Sequence, residues 1–175
     1  MSQSEITVTI PGKPVAKGRH RTSQAKLGFD RAGKPYVIQG HPFTPKTTRE
    51  WEKAAKWYIK SSFQGGGPIM GAIALSAVIV FEVPVSWPKW KREAALEGVI
   101  VPTAKPDLDN VIKAIKDAVN DLGWQDDSYV TRSSEVKQYG KNAGIFLRIN
   151  KIPGVIPSQI TSKAEFLLLT TGEEA

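Results

Sequence analysis

The amino-acid sequence predicts a single α+β domain in which a mixed β-sheet packs against helices. Its 175 residues, 41% of them hydrophobic, suffice for one ordinary core and argue against a disordered chain. Strand-like segments and segments of helical periodicity follow one another in the order strand, helix, strand, helix, and then two strands. We interpret this order, which ends in two consecutive strands, as an α+β fold with a mixed sheet.

The first part of the chain is expected to hold a strand, a long loop and a helix. Residues 5–10 are predicted to form the strand, and the loop runs to about residue 34 before a short strand near 36–39. Thr44 and Pro45 are expected to open the helix as N-cap and first helical residue. Its buried stripe comprises Trp51, Ala54, Ala55, Tyr58 and Ile59, and the glycine-rich segment 64–68 ends it.

The second part is expected to supply the centre of the sheet. β-branched and apolar residues predict a strand over about 71–83, followed by a turn and a short helix near 88–97. A further helix over about 107–122 precedes strands near 129–138 and 144–150. We therefore divide the chain into a domain over 1–150 and an extension over 151–175, whose three consecutive leucines favour docking on the body or on a second subunit.

The helix over 107–122 is flanked by acidic residues at both ends. Asp107 or Asp109 is expected to act as N-cap or first-turn acid, where a helix favours negative charge. Gly123 stands where a helix-terminating glycine is common. The predicted buried face consists of Val111, Ile112, Ile115, Ala118, Val119 and Leu122.

These acids form two close pairs, Asp107 with Asp109 and Asp126 with Asp127. Crowded carboxylates repel one another, so a pocket that gathers both pairs favours a divalent cation such as Mg²⁺, and hence phosphodiester chemistry. Lys113, four residues after Asp109, is its neighbour on the helix surface. The alternative is that the first pair caps the helix while the second forms a turn. Spacing alone does not bring the two pairs together.

The positive charge of the chain is concentrated near its N-terminus. The net charge is +7, but residues 1–60 carry 12 Lys/Arg against 4 Asp/Glu, whereas residues 61–175 carry 12 against 13. This basic arm, about residues 11–49, favours a polyanionic partner; its simpler interpretation is a solvated loop. The absence of cysteine excludes disulfides and predicts a reducing, cytoplasmic compartment. We expect neither a signal peptide nor a membrane span.

The segments DLDN, Lys113 and DAVNDLGWQDDSYV together resemble the RusA family of Holliday junction resolvases, in particular its phage and prophage branch. The opening ITVTIPGKPVAKGRHR and the later FTPKTTREWE are also similar to that family. The resemblance covers roughly residues 5–150. It implies a RusA-like fold and a small homodimeric endonuclease, dependent on Mg²⁺ with Mn²⁺ as a substitute. Such an enzyme nicks two strands of a four-way DNA junction symmetrically, in recombination and repair.

Residue by residue, the resemblance implies that Asp107, Asp109 and Asp127 are the catalytic acids and metal ligands and that Lys113 is the essential lysine. Asp126 is given a supporting role at the metal. The segment before the second acid pair is one residue shorter than in the family, so the choice between Asp126 and Asp127 stays open.

Two other functions use the same residues. One is a structure-specific nuclease that cuts flaps or other branched DNA, and the other is a junction-binding protein without catalysis. Cleavage that depends on a divalent cation would distinguish the junction resolvase and the flap nuclease from the binding protein. In each case the residues expected to contact DNA are Lys13, Lys17, Arg19, Arg21 and Lys137.

Overall fold

The computed structural model of the protein describes residues 5–18, 21–63 and 67–153. Arg19, the C-terminal extension beyond residue 153 and residues 64–66 of the predicted helix terminator lie outside the described residues, as does the side chain of Arg21. Over the described ranges the prediction of an α+β fold with a mixed sheet is confirmed. The strands are β1 (Glu5–Pro11), β2 (Arg21–Thr22), β3 (Lys26–Phe29), β4 (Pro35–Ile38), β5 (Pro42–Phe43), β6 (Ile73–Glu82), β7 (Val130–Gly140) and β8 (Gly144–Lys151), and the helices are α1 (Lys46–Ser62), α2 (Lys89–Leu96) and α3 (Leu108–Val119).

The central sheet has four strands in the order β1-β8-β6-β7. Strand β6 pairs with β7 in parallel, whereas the β1–β8 and β6–β8 pairs are antiparallel. The long connection from β6 to β7 carries α2 and α3, as a parallel crossover requires. Strand β7, which follows the second acid pair, is therefore an edge strand with its partner on one side only among the described residues.

One face of the sheet carries the core. Alternate residues of β1, β6 and β8 are buried on this face, where α1 and α3 pack. In the register, Val8 pairs with Leu147, which in turn pairs with Ala77, so apolar side chains line up across three strands. On the opposite face, Phe146 keeps 45% of its surface exposed among the described residues, whereas Val80 is buried. Helices α1 and α3 thus lie on the same face of the sheet, and the acidic residues at the start of α3 are positioned there.

Helix α3 ends earlier than the sequence predicts. Asn120 leaves the helical conformation (φ −53°, ψ 141°), and Asp121 adopts the left-handed one (φ 64°). Gly123 is therefore not the terminating glycine, and that expectation was wrong. It is needed for space, because a Cβ atom there would clash with the Val119 side chain. The chain turns early because Trp124, with 0% exposure, enters the core.

Two smaller differences lie in the N-terminal half. Pro45 is extended (φ −53°, ψ 144°) and occupies the N-cap position of α1, so Thr44 is not the cap. The predicted loop also contains a second hairpin strand, β3, which pairs with β4. The turn between them is held by Asp30, whose Oδ1 accepts hydrogen bonds from the backbone N–H groups of Ala32 (2.9 Å) and Lys34 (2.8 Å).

Candidate active site at the start of helix α3

The first acid pair lies at the N-terminus of α3. Asp107 occupies the N-cap position with extended backbone (φ −67°, ψ 143°), and Asp109 lies in the first turn. The Asp107 side chain makes no capping hydrogen bond, although its backbone carbonyl accepts the first helical bond, from the Val111 N–H at 3.2 Å. Both carboxylates are exposed. A capping hydrogen bond therefore does not account for the Asp107 carboxylate.

An open cavity of about 710 Å³ lies beside this helix. It joins Asp109 and Lys113 of α3 to Asp127, which follows the helix by several residues in the turn before β7. The sequence could not show this meeting, because it depends on the crossover that returns the chain to the edge of the sheet. Asp107 and Asp126 are not among the residues that line it. Among the described residues, those that line the cavity are Leu108, Asp109, Ile112, Lys113, Lys116, Asp117, Asp127 and Glu135.

The two acids of the second pair have different surroundings. Asp126 is the N-cap of a short 3-10 turn over Asp127–Tyr129, and its Oδ1 accepts a hydrogen bond from the Ser128 N–H at 2.8 Å. Hydrogen bonds from Ser128 hold the pKa of Asp126 below its ordinary value. Asp127, in contrast, lines the cavity. The structure thus places Asp127 at the cavity and uses Asp126 as the cap of the turn.

Glu135 is a cavity residue that the sequence analysis missed. It lies on β7 opposite Ala77, whose side chain is buried on the helix-packed face of the sheet. Its carboxylate is hydrogen-bonded to the Ser133 hydroxyl. The period-two alternation of a strand places residues 135 and 137 on the same face. This alternation can be recognised in the sequence, but only the pairing of β7 with β6 shows which face of the strand borders the cavity.

The basic arm is attached to this site through Lys17. Its backbone N–H donates to the carbonyl of Asn110, next to Asp109, at 2.8 Å. Its ammonium lies 2.7 Å from a carboxylate oxygen of Glu52 on α1 and 2.7 Å from one of Asp117 on α3. Partial burial lowers the pKa of Lys17, but hydrogen bonds and charge from Asp117 and Glu52 outweigh it and raise the pKa. Lys17 therefore ties the arm to both helices.

The remaining residues expected to contact DNA have distinct positions. Lys13 is exposed on the arm. Lys137 is partly buried on β7, where its Nζ donates to the carbonyls of Ala104 and Pro106 at 2.9 Å each. The Lys105–Pro106 peptide bond is cis and immediately precedes Asp107.

The cavity has suitable donors for a hard cation. Asp109, Asp127 and Glu135 present carboxylate oxygens, which Mg²⁺ and Mn²⁺ prefer, and the chain has no thiolate that would favour softer metals. Within residues 5–18, 21–63 and 67–153, however, no three such side chains converge closely enough to form a ready metal site. The residue types thus fit a divalent cation, whereas their side chains do not enclose one.

No helix in the same part of the chain is long and apolar enough to cross a membrane.

The chain is similar to a known protein family and to a bacterial relative. The family model described as "Endodeoxyribonuclease RusA" matches residues 11–150, which include both acid pairs, Lys113 and the basic arm. A relative from Bacillus subtilis (strain 168), the uncharacterized protein YqaN, is 31% identical over 149 residues. That alignment covers 84% of this chain and 96% of YqaN. The residues that the family model matches include every described residue that lines the cavity.

Proposed function

This chain belongs to the RusA family of endodeoxyribonucleases, and from that premise we propose that it resolves four-way DNA junctions by Mg²⁺-dependent cleavage of two strands. The family implies a nuclease that acts on branched DNA. The observation that carries the proposal is the cavity in which Asp109, Lys113 and Asp127 meet, although they come from a helix and a separate turn. Acid and base side chains gathered in one concave, accessible place are what phosphodiester hydrolysis requires.

Asp109 and Asp127 are the residues that would hold the cation from within the cavity. We include Asp107 in the same set, because it is the adjacent N-cap residue and its exposed side chain makes no capping hydrogen bond. A bound Mg²⁺ ion, or Mn²⁺ in its place, would supply Lewis acidity at the phosphate and lower the pKa of a water molecule. Asp126 supports this set indirectly, because it caps the turn that presents Asp127.

Lys113 provides the positive charge of the site. It lies one helical turn after Asp109 and lines the same cavity. An ammonium group there can neutralise charge that develops on the phosphate oxygens as the bond breaks. Because Lys113 is held on a helix whose opposite face is buried, the group reaches the cavity from a rigid support.

DNA would reach this cavity along the basic arm. Lys13 is exposed there, and we retain Lys13, Arg19 and Arg21 as proposed phosphate contacts. The Lys17 backbone bond to Asn110 joins the arm directly to the first turn of α3. A strand held by the arm would therefore be led towards the acidic residues. We further propose a two-fold homodimer, which would present two such cavities to the two-fold arrangement of a junction.

The test is cleavage of a labelled synthetic four-way junction beside a linear duplex and a flap of equal length, with Mg²⁺ or EDTA. Wild-type protein should make paired nicks in the junction only, and only with Mg²⁺. Asp109→Asn should abolish cutting but keep binding, since it removes negative charge near phosphate. Asp121→Asn is the matched control: this exposed acid lies beyond the opposite end of α3, and asparagine tolerates its left-handed backbone.

The other outcomes identify the rival functions. Equal cutting of flap or duplex would replace junction resolution by a broader structure-specific nuclease. Tight junction binding without any Mg²⁺-dependent cut would leave a binding protein without catalysis. If Asp121→Asn loses cutting as well as Asp109→Asn, the acids at the two ends of the helix are not functionally different. That result would contradict the assignment of Asp109 to the active site.

A further inference from the structure

We propose that Lys137 is a positioning residue that fixes Asp107 at the entrance of α3, in place of the DNA contact expected from the sequence. The inference rests on the proposed function in one respect, the role of Asp107 as a metal ligand. It concerns a contact between an edge strand and the loop that precedes the helix. That loop leads into Asp107, and helical hydrogen bonds do not determine the conformation of the loop.

The contact is specific in its geometry. The Lys137 ammonium donates to the carbonyl oxygens of Ala104 and Pro106, each at 2.9 Å. It also lies 5.5 Å from the centre of the Phe81 ring, on the neighbouring strand β6, within range of a cation–π interaction. An ammonium has three N–H donors. Two are used here, so only one would remain for a phosphate while this arrangement persists.

The two carbonyls determine where Asp107 lies. The Pro106 carbonyl and the Asp107 N–H belong to one planar peptide unit, so holding the oxygen fixes the plane that leads into Asp107. On its other side, the Asp107 carbonyl accepts the bond from Val111 that begins the helix. Asp107 is thus held from both sides, by a lysine of the sheet before it and by the helix after it.

The position of Lys137 in the sheet makes it a firm support. It pairs in register with Ile79, a fully buried residue in the centre of β6. On the same face and two residues earlier, Glu135 lines the cavity. Strand β7 therefore supplies one side chain to the cavity and another to the loop beside it. Removal of a group that hydrogen-bonds near a metal ligand and orients it typically weakens metal binding by about 10- to 100-fold.

Hydrogen exchange of the DNA-free protein tests the structural part directly. Lys137→Met, with a side chain of similar length and no N–H donors, should speed exchange of the backbone amides between residues 104 and 111. Lys89→Met is the matched control, because Lys89 is an exposed lysine on α2 with 82% side-chain exposure. It should leave that exchange unchanged. Unchanged exchange in Lys137→Met would overturn the proposal. If Lys137→Met does not fold, Lys137→Gln, which is shorter and lacks the ammonium group, takes its place and should also speed this exchange; unchanged exchange in that variant would again overturn the proposal.

A double-mutant cycle tests whether Lys137 acts through Asp107. Mn²⁺ binding to the DNA-free protein, measured by calorimetry, should weaken by about tenfold in Lys137→Met. In the Asp107→Asn background the same change should have little further effect, since the group it positions is gone. Additive effects of the two substitutions would refute the coupling. If wild-type protein binds no Mn²⁺, the proposed function fails, while hydrogen exchange still decides the positioning role.

Junction binding in EDTA separates positioning from phosphate contact. A positioning lysine leaves both the affinity and its salt dependence as in the wild type. Loss of affinity, together with a slope of log K against log salt that is smaller by about 1, would identify a phosphate contact and overturn the proposal.

Discussion

Replacement of Lys17 by methionine should destabilise the fold far more than its position in a basic loop suggests. The ammonium lies between the carboxylates of Glu52 and Asp117 at 2.7 Å each, and the Lys17 side chain is only 20% exposed. Methionine keeps most of the length and removes the charge. Two carboxylates on neighbouring helices would then face each other without the cation between them.

The magnitude follows from the burial of the three groups. Removal of one partner from a fully buried ion pair costs about 3–5 kcal/mol, and a surface pair contributes about 0–1 kcal/mol. Glu52 is 20% exposed and Asp117 38%, so solvent screens the second contact more strongly. We therefore expect a loss of about 1–2 kcal/mol in the free energy of unfolding. For a domain of this size that lowers Tm by about 2–8 °C.

Urea and thermal unfolding of the purified variant would measure this loss. Lys46→Met is the control, because Lys46 pairs with Glu50 at 3.6 Å on the surface of α1 with 81% and 63% exposure. Its effect should stay below about 0.5 kcal/mol. Equal stability losses in Lys17→Met and Lys46→Met would refute the structural role of Lys17. A loss of junction affinity without a loss of stability would instead restore its predicted contact with DNA.

The pH dependence of this effect has a definite sign. The pKa of Lys17 is raised above its ordinary value of 10.5 in the folded protein. A raised pKa means that the folded state holds the proton more tightly, so the stabilisation is fully present below pH 10.5 and is lost as pH rises through the folded-state pKa. The stability difference between wild type and Lys17→Met should therefore be constant between about pH 7 and pH 9 and shrink in stronger alkali.

Three further outcomes are expected. Single-turnover cleavage should be abolished by Asp127→Asn but largely kept by Asp126→Asn, because asparagine also caps a turn. Urea unfolding should show a loss of about 2–5 kcal/mol for Ile115→Ala, since this side chain on α3 is 0% exposed. Glu135→Gln should raise the Mg²⁺ concentration for half-maximal cleavage several-fold in a titration, with junction affinity unchanged, because Glu135 lines the cavity without belonging to the basic arm.

Local periodicity was sufficient to predict the helices and most strands of the sheet. The apolar face of α3 repeats at three- and four-residue steps, and five of its six predicted members are buried, from Val111 to Val119. Leu122 lies beyond the helix and is half-buried. The predicted end of α3 was wrong because the observed end depends on Trp124. The burial of Trp124 is decided by packing against distant residues and not by the glycine beside it.

The parts of the site that could not be predicted are those fixed by pairing between strands. Glu135 reaches the cavity because β7 runs parallel to β6 in one register, and a shift by one residue would turn it to the opposite face of the sheet. Strand β3, which pairs with the predicted strand β4, was missed for a related reason. Its strands show no clean alternation of buried and exposed residues, since nearly all their side chains are exposed.

Charge counting assigned the same role to lysines that the fold treats differently. Lys17 and Lys137 both contribute to the net charge of +7. The Lys17 ammonium, however, lies between two carboxylates, and the Lys137 ammonium donates hydrogen bonds to two backbone carbonyls. Lys13 is exposed, and Lys113 lines the cavity. A lysine whose donors are already used inside the protein must break those contacts before it can bind phosphate, and that cost opposes binding. The basic composition thus favours a polyanion, but each lysine's partners decide whether its charge is available to DNA.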